Sequence, residues 1–127
     1  MHKNIQIEAA GRTPSVSFDF VNNLFLIEGE SYPEDVNEFY GPIMTAFTDY
    51  LQKANELNMR FEVRLVYFNS TSARILFEFF ERLEEAAKQG NRVKVVWSFA
   101  KDDDNMEEFG EEFQEDVEAA DFVLAPF

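Results

Sequence analysis

Cysteine is absent from this 127-residue chain. Disulfide frameworks, thiol nucleophiles and Cys-ligated zinc are therefore excluded. Histidine is nearly absent: the only one is His2, at a terminus, where chains tend to fray. Histidine-based catalysis, including a Ser-His-Asp triad, has nothing to run on. Positive charge is scarce too, with 11 Lys and Arg against 25 Asp and Glu, a formal net charge of −14. Nucleic-acid surfaces need a basic patch to displace counterions, and anionic lipid attracts bases rather than acids. The composition argues against both as partners. No apolar run approaches the roughly 20 residues that span a bilayer, and the first residues lack a secretion-signal core. The expectation is a cytoplasmic, soluble domain without membrane insertion.

What the chain does have is apolar material. Hydrophobic residues make up 46% of it, and 15 of its aromatic residues are Phe. That is too apolar for a disordered chain, and the length suits one domain over residues 1–127 with a core of large rings. The acidity is concentrated: residues 101–121 hold 11 acids and one base.

Alternation marks the strands. Ile5, Ile7 and Ala9 predict a short strand over 4–9, and Val16, Phe18 and Phe20 a second. Asn22-Asn23 is a turn signal, and Leu24 to Ile27 return, so 15–28 reads as a β-hairpin. After the Gly29–Pro33 loop, Ser31 and Pro33 can start a helix with Glu34 and Asp35 in its first turn. Its apolar stripe runs Val36, Phe39, Tyr40, Ile43, Met44, Phe47, Leu51, Ala54. Pro42 predicts a kink or a two-piece helix. Residues 60–68 begin alternating and end fully apolar, the pattern of a central strand becoming buried on both faces. Ile75 to Ala87 form an amphipathic helix ending at Gly90, 92–99 another strand, Met106 to Val117 a narrow stripe on a short acidic helix, and 121–125 a last edge strand. The implied fold class is α/β: a mixed β-sheet with an N-terminal antiparallel hairpin and parallel later strands, packed with three or four helices. Parallel strands bring the loops after Ile27, Phe68 and Phe99 to one carboxyl edge, where α/β sheets usually carry sites.

Four constellations deserve a chemical reading. Asn69-Ser70-Thr71-Ser72 sits between a strand and a helix start, where an Asn or Ser side chain caps orphan N–H groups. The same place suits a phosphorylation site, since phosphate is stabilised at a helix N-terminus. Gly29-Glu30-Ser31-Tyr32-Pro33-Glu34 is a strand-to-helix turn or a neighbouring rim for the same partner, with Tyr32 a natural interface residue. The acids from Asp102 to Glu118 read as the solvated face of a helix. An EF-hand would need a Gly at its sixth position, where Asp102 numbering puts Glu107, so an acidic calcium-binding domain is the weaker alternative. Paired carboxylates such as Glu62 with nearby acids could in principle do acid–base chemistry, but nothing in the sequence pairs them in space.

Gly29-Glu30-Ser31-Tyr32-Pro33-Glu34, followed by Phe39, Gly41 and Pro42, resembles the G-x-S-x-P-E pattern of the SiaC family of bacterial regulatory phosphoproteins. Leu65-Val66-Tyr67-Phe68-Asn69-Ser70-Thr71-Ser72 is similar to that family's L-x-Y-[LF]-N-[ST]-[ST]-S motif, and Val93-Lys94-Val95-Val96-Trp97 to its V-x-V-x-W-like strand. The resemblance covers about residues 5–120. It implies a STAS-like fold, as in anti-sigma-factor antagonists, and a non-enzymatic partner switch without cofactor or metal. It further implies a serine/threonine kinase that phosphorylates the residue after the motif Asn, and a PP2C-type phosphatase that removes the phosphate. The effector bound by the unphosphorylated form would be a diguanylate cyclase, raising cyclic di-GMP, a biofilm signal. An anti-sigma factor is the alternative target. By position the phosphosite is Ser70, with Thr71 the runner-up. The implied partner-facing set is Gly29, Glu30, Ser31, Tyr32, Pro33, Phe68, Asn69, Ser70, Thr71 and Ser72.

Overall fold

The alternation in the first third forms an antiparallel ribbon. In the computed structural model, which describes residues 3–127, β1 (Ile5–Ile7) pairs with β2 (Ser15–Asp19), and β2 with β3 (Leu24–Ser31), both antiparallel. His2 lies outside the described residues. β1 is shorter than the expected 4–9: the Asn4 side chain accepts from Phe20 N–H at 2.9 Å, and a turn bond from Ala10 N–H to Thr13 takes the chain away.

From β3 onward each strand is followed by a helix. α1 (Val36–Lys53) leads to β4 (Asn58–Phe68), α2 (Ser70–Lys88) to β5 (Arg92–Phe99), and α3 (Asp104–Glu115) to β6 (Asp121–Pro126). The six strands lie in sequence order, and the three pairings from β3 to β6 are parallel. Right-handed crossovers that always step in one direction put every helix on the same face of the sheet. The rings agree: Phe47 of α1 and Phe79 of α2 both pack on Phe61 at 5.5 and 5.3 Å, and Phe113 of α3 packs on Trp97 at 5.3 Å. A buried row, Val16, Ile27, Val63 and Trp97, runs across four strands in register. The opposite face carries Leu26, Glu28, Arg60, Glu62, Arg64 and Lys94, exposed or half-buried. The result is a single α/β domain, a six-stranded mixed sheet with three helices.

Two expectations are corrected. α1 is one helix from Val36 to Lys53 with Pro42 inside it, neither starting at Ser31 nor split. Ser31 ends β3, and Asp35 is the cap, accepting from Glu38 N–H at 3.1 Å. Pro42 and Glu38 are both exposed, so water can satisfy the carbonyl that Pro42 leaves without a donor. The second correction concerns the end of β4. The apolar run Leu65 to Phe68 is not buried on both faces: Val66 and Tyr67 are 60% and 50% exposed.

Candidate functional site

The carboxyl ends of β3 and β4 meet at the start of α2. Pairing slips between Gly29, which faces Leu65, and Glu30, which faces Tyr67, so Val66 has no partner on β3. Gly29 has φ +117°, a left-handed conformation that favours glycine. Two residues opposing one is a β-bulge, which bends a strand and re-aims its side chains. Val66 and Tyr67 both stay outside the core, and Phe68 returns inside against Trp97 at 5.9 Å and Phe109 at 5.0 Å. Four consecutive apolar residues at a strand end were the available signal for this bulge.

Asn69 then caps α2. Its side-chain oxygen accepts from Ser72 N–H at 2.9 Å and from the Thr71 hydroxyl at 3.1 Å, and its own N–H donates to Ser31 C=O at 3.1 Å. Beneath the cap, hydroxyls form a buried chain: Ser72 to Ser31 at 2.8 Å and Ser31 to Tyr40 at 2.6 Å. Burial pushes the Tyr40 phenol up to about 12, with the Ser31 hydrogen bond acting in the opposite direction. The chain ties α2, β3 and α1 together. Tyr40 was not among the expected site residues, although a buried tyrosine hydroxyl needs a partner and is a reason to look for one.

Of the expected set, Ser31, Pro33, Phe68 and Ser72 are buried and shape the loop from within. Asn69, Gly29 and Tyr32 are half-buried. Glu30, Ser70 and Thr71 are exposed. Tyr32 packs edge-on against Tyr67 at 5.7 Å, and its hydroxyl donates to Gly11 C=O at 2.9 Å. Arg12 lies over the Tyr32 ring and pairs with Glu34 at 3.3 Å. The Thr71 hydroxyl is held by Asn69, whereas the Ser70 hydroxyl has no hydrogen bond to any described residue.

The remaining candidates fall elsewhere. Glu62 is engaged by bases and a hydroxyl. It sits on the open sheet face between Arg60 at 3.3 Å and Arg64 at 3.5 Å, accepting also from Ser98 at 2.9 Å. Asp103 caps α3 by accepting from Met106 N–H at 3.1 Å. Among the described residues no three His, Asp or Glu side chains gather as a metal site, and no helix is long and apolar enough to cross a membrane.

A family model described as "SiaC family regulatory phosphoprotein" matches residues 7–127. An uncharacterized protein of Pseudomonas aeruginosa strain UCBPP-PA14 is 26% identical over 113 residues, 89% of each chain. Among solved structures, apo-SiaC from Pseudomonas aeruginosa superposes with a TM-score of 0.88 at 26% identity, covering 97% of this chain and 98% of that one. A chain of the crystal structure of the diguanylate cyclase SiaD in complex with its activator SiaC, also from Pseudomonas aeruginosa, gives 0.90 at 25% identity, covering 97% and 99%.

Proposed function

The chain belongs to the SiaC family of regulatory phosphoproteins, and from that premise we propose that it is a binding module switched by phosphorylation of Ser70. One observation carries the reading. Ser70 is the exposed first residue of α2, and its hydroxyl bonds no described residue, while the side chains of Asn69 and Thr71 are engaged in the cap and that of Ser72 in the buried bond to Ser31. A kinase can therefore modify Ser70 without breaking the hydrogen bonds that shape the loop. A PP2C-type phosphatase reverses the step.

The unphosphorylated form binds and activates a diguanylate cyclase, the role that the activator has in the Pseudomonas aeruginosa complex. Around Ser70 the carboxyl edge offers Tyr67 and Val66 as exposed apolar contacts and Glu30 as an exposed acid. Phosphate brings a charge of about −1.5 to −2 at pH 7. Burying that charge against a partner lacking a basic pocket carries a desolvation cost that the apolar contacts do not offset. The chain acts by docking, so the effector supplies the chemistry.

Incubation with the cognate kinase followed by mass spectrometry should find phosphate on Ser70, and Ser70→Ala should abolish labelling. Undiminished labelling of that variant would move the site to Thr71. Ser70→Asp should bind the effector at least tenfold more weakly than wild type by titration calorimetry, and equal affinity would remove charge as the gate.

A further inference from the structure

The charges on the first two turns of α2 are arranged in a way that the switch itself leaves unexplained. Arg74 is their one base, it is exposed, and it has no ion pair or hydrogen bond to any described residue. Arg92, Lys94 and Lys101 likewise have no ion pair to a described residue, but they lie on or after β5 rather than on α2. The acid one turn further along, Glu78, is engaged by Arg82 at 3.4 Å. Ser70 and Arg74 stand four residues apart, one above the other on the same helix face. Helical side chains lean toward the N-terminus, so a long side chain at the later position covers the earlier one. An acid preceding a base by four residues is also the better orientation of such a pair. The other charges at this edge do not compete for a phosphate. Arg12 is taken by Glu34 and Tyr32. Glu30, Asp102, Asp103 and Asp104 are acids. Lys101 follows β5 and is tied through its backbone to Phe127, at the β6 end of the sheet.

We propose that Arg74 is the internal partner of phosphorylated Ser70, drawing the phosphate down onto α2 once it is formed. This rests on the reading of Ser70 as the modified residue. Phosphorylation then changes two groups at the partner-facing edge. It adds a phosphate, and it withdraws a free guanidinium from any partner that used it. The planar guanidinium fork suits a phosphate better than a lysine ammonium does.

The test is a phosphorus NMR titration of full-length protein with phosphoserine installed at position 70 during translation, so that no kinase is required. The second phosphate pKa, ordinarily about 6, should be lower in the wild-type background than in Arg74→Gln by about 0.15–0.4 of a unit. The difference should shrink in 1 M salt. Arg74→Lys should restore most of it, and Lys101→Gln should leave it intact. Equal values in the wild-type and Arg74→Gln backgrounds overturn the proposal, as does a shift that follows Lys101 instead. Kinase labelling at another residue, with the NMR difference intact, would remove the switch reading of Ser70 while leaving the pair standing.

Discussion

Ser31 is fully buried, yet it lies beside the exposed Val66 and Tyr67 at the carboxyl edge of the sheet. Its hydroxyl is the middle member of the chain linking Ser72 on α2 to Tyr40 on α1. A buried hydroxyl left without a partner costs more than the same hydrogen bond contributes when made. Ser31→Ala strands both neighbours and should destabilise the protein by about 1–3 kcal/mol in urea unfolding. Tyr40→Phe removes only the end member and leaves Ser31 bonded to Ser72. It should cost less, about 0.5–1.5 kcal/mol. The reverse order would mean that the chain is not the strut between these elements. Half of this corner was readable from residue types: Asn before Ser-Thr-Ser announces a cap, and the cap is there. Which serine faces inward was not readable, because the answer depends on Tyr40, whose hydroxyl arrives from another helix.

At the scale of elements, α3 shows how a helix with a thin apolar stripe can still be seated. Only Met106 and Gly110 are buried in it, and Phe109, expected on the stripe, is 40% exposed. The seat is Trp97: its indole N–H donates to Met106 C=O at 2.8 Å, and a Cβ on Gly110 would meet its ring at 2.5 Å. Alanine is the better helix former by about 1 kcal/mol. Gly110→Ala should nevertheless lower stability by about 1–3 kcal/mol, because overpacking dominates. A gain in melting temperature would show that α3 is free to lift off the indole. The acids of α3 announce its solvent face correctly. Val117, the last residue of the expected stripe, falls beyond the helix end at Glu115, and periodicity marks where an apolar face lies, not that a glycine provides the closest contact. In α1 local chemistry overstated its case instead. Pro42 signals a break, but it falls on the solvent side while Ile43, Met44 and Phe47 on the other side are buried against the core.

For the whole molecule, one carboxylate ties α2 to the segment that leads into the sheet's last strand. Glu84, near the end of α2, accepts from the N–H groups of Glu118, Ala119 and Ala120 at 3.0, 2.9 and 2.9 Å, just before β6. Burial alone would raise its pKa. Those donors, with the charge of Lys88, outweigh burial and hold the carboxyl below its ordinary 4.5. A depressed folded pKa means stability present above about 4.5 and lost as pH falls through the folded value. Glu84→Gln should therefore be less stable than wild type at pH 7 by about 1.5–3 kcal/mol in urea unfolding. The gap should narrow below the folded pKa of Glu84, where wild type is protonated too. A gap independent of pH would assign the loss to packing rather than charge. The other feature at this scale is one-sidedness: three helices cover one sheet face, and the other is left to Arg60, Glu62, Arg64 and Lys94.

The sequence by itself determined the element order, most of the inward-facing residues, the cap at Asn69 and the family motifs. Each of these is local: period two, period 3.6, or a side chain bonding a backbone group a few residues away. The tertiary structure alone decided the rest. It set the Val66 bulge that returns Phe68 to the core, joined Ser31 to Ser72 and Tyr40, and placed three backbone N–H groups around Glu84. The register between two strands and the meeting of distant hydroxyls are properties of pairs. A pattern along one chain specifies what a residue needs, while packing specifies which distant residue supplies it.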